Sequence, residues 1–299
     1  MKRLAAIAIA CLALSAKAPG APVIHIEDVA RFYRIYDAAH GHPSAAVVQR
    51  DYLDSGSDGL HTFATLRHIT GAAIAKTLAL HPEVYAGAKR CMAVLPAARL
   101  RIDAALRKLG DLYPEARFPP VTIAVGRGKP VGVGSPKDGV MIGLEALCAV
   151  HYFNANPEDR FVHVIAHEYV HVQQVQSLVD DEHPTVLEAS LIEGAADFVG
   201  EMISGGLSYS YFDAMTKGRE KEIETAFAAD EDKRDLSRWL YNGTLEKPGD
   251  VGYWVGYRIV KSYWQHAADK RQALRDIIGM RDPEAFLARS GWYPGIRLK

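Results

Sequence analysis

The chain has 299 residues with 48% hydrophobic, 24% charged and 9% aromatic content, proportions that exclude a disordered, collagen-like or fibrous polypeptide. Its 35 basic residues stand against 36 acidic ones, so no cationic excess exists for general nucleic-acid binding. Three cysteines are too few for a disulfide-dense scaffold.

In chain order, the first predicted element is a targeting segment. Lys2-Arg3 precedes an apolar run over residues 4–16, and Ala18-Pro19-Gly20 then supplies small residues before Ala21. This layout predicts a signal peptide over 1–20, cleaved between Gly20 and Ala21, and an exported protein, periplasmic or secreted. The remaining chain holds 32 basic and 36 acidic residues, net −4. A lipid anchor on Cys11 is the alternative, since small residues precede it but the usual leucine does not. No later stretch approaches 18 uninterrupted apolar residues, so no transmembrane segment is expected in the mature chain. In an oxidising compartment Cys91 and Cys148 form a bridge or remain two buried thiols; both readings stand.

Residues 21–299 read as one domain in three parts: 21–120, 121–205 and 206–299. The first part is helical, with apolar residues three and four apart over 29–38, 82–95 and 97–109. The period then changes to short β-branched runs at 121–125 and 139–144, joined by a glycine-rich, hairpin-like loop over 126–138. Gly126-x-Gly128 and Gly132-x-Gly134 in that loop do not extend to a phosphate-binding signature. Helix resumes over 161–176 and over 184–203, where Pro184 suits the first turn, and continues over 211–228, 251–266, 271–280 and 283–288. The fold class is α+β, many helices around a small sheet.

The chemistry concentrates at His167-Glu168-Tyr169-Val170-His171, an H-E-x-x-H pattern inside a helical stretch. Residues four apart share a helical face, so both imidazoles can point at one ion, and neutral histidine nitrogens suit zinc. Glu168 beside them is placed to take a proton from a metal-bound water. A third ligand is required. Position 177 is Ser, which removes the route through a third histidine six residues on. The next helix offers Glu188, Glu193 and Glu201. Glu193 is favoured because Asp197 lies one turn further and can hold a ligand histidine by its far nitrogen, while Gly194 permits close helix approach. Glu193 is also set among Leu191, Ile192, Ala195, Ala196 and Phe198, where an acid needs a partner or a metal.

His167-Glu168-x-x-His171 together with Glu193-Gly194-Ala195-Ala196-Asp197-Phe198 resembles gluzincin-type metallopeptidases. It is more similar still to a bacterial family of predicted zinc-dependent proteases that is catalogued as a domain of unknown function. The likeness runs over 139–205 and more weakly over 252–258. It implies a zincin-like fold, one zinc ion, His167, His171 and Glu193 as ligands, Glu168 as catalytic base and Asp197 behind a ligand. It implies a peptide or protein substrate. The downstream transition-state donor of gluzincins has no residue-for-residue match here.

The remaining candidates have structural readings. His163 is in register with the motif, but eight helical residues span about 12 Å, too far for one ion. His183 reads as surface and His266 as a helix-end residue. Tyr253 and Tyr257 share a face, with Gly252 and Gly256 beside them suggesting close helix packing; Tyr257 is the candidate oxyanion donor. The expected function is an exported zinc metallohydrolase, most simply a peptidase whose strand at 139–144 pairs with an extended substrate. A non-catalytic envelope protein with a structural or vestigial metal site, and a zinc amidase acting on cell-wall amides, are the alternatives.

Overall fold

The computed structural model describes residues 22–299, with Pro130 and Leu245 excepted. The expected signal segment, its cleavage point and Cys11 lie outside the described residues. The fold is mainly helical α+β, with a four-stranded sheet in the order β1-β2-β4-β3. The strands are β1 (Ile24–His25), β2 (Val121–Ala124), β3 (Gly132–Ser135) and β4 (Gly139–Gly143). No helix among the described residues is long and apolar enough to cross a membrane.

The sheet departs from the sequence expectation in one consequential way. The runs around 121 and 139 are not the arms of a hairpin: β2 and β4 are parallel neighbours, with Val121 opposite Val140 and Ile123 opposite Ile142. The loop read between them contains β3, which pairs antiparallel with β4 and forms the sheet edge. The hairpin lies one strand later. Its turn over 136–138 is held by the Ser135 hydroxyl, which accepts from the Lys137 and Asp138 amides, and closes at Gly139 with φ +82°. β3 escaped notice because Gly132 and Gly134 have poor strand propensity. Their reason is proximity. A Cβ on Gly134 would stand 1.9 Å from the Glu168 carbonyl oxygen, and one on Gly132 would stand 2.4 Å from Glu168 Oε1.

Three helices carry the site. The motif helix, Pro157–His171, starts at Asn156, whose side chain accepts from the Glu158 and Asp159 amides, with Pro157 in the first turn. Arg101 pairs with both first-turn acids. Every residue from Arg160 to His171 is buried. The helix stops short of the expected 176, and the Gln173 and Gln174 side chains beyond it donate to the Arg117 and Ile192 carbonyls of other segments. The glutamate helix, Val186–Ser204, opens on a capping box between Thr185 and Glu188 and ends at Gly205 with φ +88°. Pro184 therefore precedes the cap instead of occupying the first turn. The third, crossing helix is Val251–His266, with the bounds expected. The run read as one helix over 211–228 is two, Phe212–Thr216 and Glu220–Ala228, parted at Gly218 with φ +80°.

Small residues set how these helices meet. A Cβ on Gly194 would be 2.1 Å from Gly256 C, and one on Gly256 would be 1.7 Å from Ser190 O. Gly194 thus admits the crossing helix, not the motif helix as expected. Gly200 performs the latter task, lying 3.2 Å from the His167 backbone when given a Cβ. A disulfide between Cys91 and Cys148 ties helix Pro82–Cys91 to helix Leu144–Ala149. Gly256→Ala is expected to destabilise the protein by about 3 kcal/mol, because the added methyl meets backbone that cannot yield. Gly87→Ala, with no atom closer than 3.5 Å in the same geometry, is expected to be neutral or stabilising by up to about 1 kcal/mol. Urea unfolding of the two variants checks the contrast, and equal stabilities would refute the close-crossing account.

Candidate metal centre

The motif helix places His167 and His171 one turn apart on its buried face, and the glutamate helix brings Glu193 opposite them. Three atoms converge. His167 Nε2 and His171 Nε2 are 3.1 Å apart, and Glu193 Oε2 lies 3.1 Å from the first and 3.2 Å from the second. In a tetrahedral site with bonds of about 2.0–2.1 Å, ligand atoms stand about 3.3 Å from one another. The observed triangle matches that edge closely, and two nitrogens with one carboxylate oxygen are a donor set suited to zinc.

The far sides of the two rings determine where their lone pairs point. His167 Nδ1 donates to Asp197 Oδ1 at 2.8 Å. His171 Nδ1 donates to Gln174 Oε1 at 2.7 Å, and the orientation of that amide is set by its NH2 group, which donates to the Ile192 carbonyl at 2.8 Å. With both Nδ1 atoms carrying hydrogen, both Nε2 lone pairs face the same point. Two lone pairs 3.1 Å apart repel, so the arrangement calls for a cation. Burial works against charge on His167, yet Asp197 and Glu193 outweigh it and push its pKa well up; His171 is raised for the same reason by Glu193. Burial likewise opposes ionised Glu193, but the two histidines hold its carboxyl far below the ordinary range. The electrostatics favour positive charge at the triangle, and a divalent ion answers that demand as well as protons do.

Glu168 lines the same cavity as the triangle, of about 440 Å³, where the edge strand β3 covers it. Burial pushes its pKa up. A larger cavity of about 670 Å³ lies over the disulfide and contains none of these groups. Of the other expected acids, Glu188 closes the capping box through the Thr185 amide, and Glu201 accepts from Tyr257. Neither is free to meet an ion. His163 bonds Ser204 and His183 is exposed, as anticipated.

Tyr257 is corrected by the geometry. Its hydroxyl donates to Glu201 Oε2 at 2.6 Å, its ring packs on Phe198, and it does not line the cavity. One helical turn earlier, Tyr253 takes the position over the site, nearly parallel to His167 at 6.1 Å. Tyr209 and Tyr241 complete an aromatic rim. Tyr241 donates its hydroxyl to Glu193 Oε1 at 3.1 Å, and the negative charge of Glu193 pushes its pKa up. Its backbone has φ +56°, unusual for so bulky a residue and a frequent mark of a functional position. Nothing periodic in the surrounding sequence announces it. Gln174, by contrast, stands three residues after His171 and could have been suspected on spacing alone.

Zinc titration of single variants against a competing chelator tests the arrangement. Glu193→Ala is expected to lower affinity at least about tenfold, and Asp197→Asn to lower it less, because it orients a ligand. Glu188→Ala should leave zinc affinity intact while costing about 1 kcal/mol of stability through the lost cap. Metal loss from Glu188→Ala with retention in Glu193→Ala contradicts the geometry.

With the site described, comparison with known proteins adds one finding. Residues 136–277 match a family described as "Predicted Zn-dependent protease (DUF2268)", which is the resemblance read from the sequence, and the match spans the motif, glutamate and crossing helices in full. No curated protein and no solved structure matches the chain.

Proposed function

We propose that this protein is a zinc-dependent peptidase with His167, His171 and Glu193 as metal ligands and Glu168 as general base. The observation that carries the reading is the 3.1–3.2 Å triangle of two Nε2 atoms and one carboxylate oxygen, with the Glu168 carboxylate in the same cavity. The family description supports it. A zinc ion held there supplies Lewis acidity, polarising a carbonyl and lowering the pKa of water to about 7.

The chain's own groups do the rest. Glu168 takes the proton of the attacking water and returns it to the leaving amine, a role for which its raised pKa is suited. The oxyanion donor moves from Tyr257 to Tyr241, whose hydroxyl already stands at Glu193 on the cavity rim. The substrate-pairing strand moves from β4, which is interior to the sheet, to the edge strand β3. Export is part of the proposal, supported by the Cys91–Cys148 bridge, since disulfides persist in oxidising compartments.

Glu168→Gln is expected to keep zinc and fold while losing hydrolysis of a diverse peptide library by about a hundredfold or more. Full turnover with full zinc would sink the assigned role; equal loss of zinc would make Glu168 a ligand. Tyr241→Phe is expected to lower kcat by about a hundredfold with a smaller change in KM. In the wild type, kcat/KM should fall on acidification, because the base acts only when ionised, and that acid limb should be absent from the residual activity of Glu168→Gln. The same acid limb in the variant counts against the role.

A further inference from the structure

The cleft that would receive a peptide is uneven in charge, and Arg67 is its single lysine or arginine among the described residues. Three carboxylates line the same cavity: Glu168, Glu193 and Asp181. The backbone at Arg67 is fixed from both sides. It caps helix Asp58–Leu66, with its amide donating to the Phe63 carbonyl at 3.1 Å, and its own carbonyl accepts from Arg127 Nε at 3.0 Å. His68, at φ +51°, turns the chain immediately afterwards. The guanidinium, in contrast, makes no ion pair or hydrogen bond with any other described residue, although Arg101, Arg219, Arg238 and Arg258 all have acid partners. A fixed stem with a free fork at a cavity mouth is available to a ligand. Val131 and Gly132, where β3 begins, line the same cavity as Arg67, and Gly132 lies against the Glu168 carboxylate. The fork and the proposed base therefore share one cavity with the start of the edge strand. An extended chain paired with β3 would present alternate side chains to that cavity.

We propose that Arg67 selects substrates carrying a carboxylate close to the scissile bond, supplied by an acidic side chain or by a free chain terminus. The guanidinium fork matches a carboxylate with two parallel hydrogen bonds. It also offsets the repulsion that Glu168, Glu193 and Asp181 exert on an anionic peptide entering the cavity. Because Arg67 is exposed, the pair is screened by salt and its contribution is limited to roughly fivefold in affinity. The inference rests on the peptidase reading, and the test separates the two.

Peptide binding to the zinc-loaded Glu168→Gln protein needs no turnover. Paired short peptides, capped at both ends and differing by Asp or Asn at one scanned position, test the side-chain source; a free against an amidated C-terminus tests the terminal source. At one position or at the terminus, the acidic member should bind more than about twofold and up to about fivefold tighter. The ratio should approach one in Glu168→Gln/Arg67→Ala, fall between about 0.05 and about 0.5 M salt, and invert with Arg67→Glu. Acid-to-neutral ratios within twofold throughout, a preference that survives Arg67→Ala, or no peptide binding at all would overturn the proposal. Hydrolysis of the same peptides by the wild-type protein reports separately on the peptidase assignment.

Discussion

Two imidazoles that aim their Nε2 lone pairs at one point, with the nitrogens 3.1 Å apart, impose the central constraint on this molecule. Spacing by four residues on one helix brings the rings together, but spacing alone leaves each free to rotate and to choose a tautomer. Asp197 and Gln174 remove that freedom by accepting from the two Nδ1 atoms, and Glu193 then adds an anionic oxygen to the point where the lone pairs meet. Each of these groups is buried, so its charge or polarity is costly unless satisfied within the cluster. The glutamate helix supplies both carboxylates one turn apart, and its distance from the motif helix is set where Gly200 meets the His167 backbone.

The two sides of the cleft are built differently. The histidine–histidine–glutamate triangle sits on long, buried helices whose crossings are fixed by backbone-to-backbone contact at Gly194, Gly200 and Gly256. The substrate side is made from a short edge strand and an irregular segment. Tyr241 projects from that segment, held by reciprocal hydrogen bonds in which the Asn242 amide donates to Asp250 Oδ1 and the Asp250 amide donates to Asn242 Oδ1. Both Tyr241 and Asp250 have positive φ. This division suits a hydrolase, in which metal geometry tolerates little error while the wall that meets a varied substrate is made of elements that differ more freely.

The parts that were legible in the sequence are those governed by local periodicity. The crossing helix, the motif helix and the His167–His171–Glu193 grouping follow from spacings of three and four and from an acid embedded in apolar neighbours. Burial of Asp197 against His167 follows from the same helical turn. What escaped depends on contacts between distant segments. β3 hides in glycines that are there to fit Glu168, and the pairing of β2 with β4 is a parallel crossover that local pattern cannot distinguish from a hairpin. The sequence offers Tyr257 because it sits on a recognisable helix, whereas Tyr241 acquires its position only from a loop with positive φ and is not among the sequence candidates. Gly194 reads from the sequence as a close-approach residue, but the helix it meets is the crossing one, since one-dimensional spacing does not say which helix a face meets.

The central claim is that one cation belongs at the histidine–histidine–glutamate triangle. X-ray absorption at the zinc edge on protein reconstituted with excess zinc and then dialysed tests it directly. The account predicts one tightly held zinc per chain, with two imidazole nitrogens and a carboxylate oxygen at about 2.0–2.1 Å and no sulfur in its shell. A protein that retains no zinc with the triangle intact, or one whose zinc shows a single imidazole or a thiolate, would contradict it.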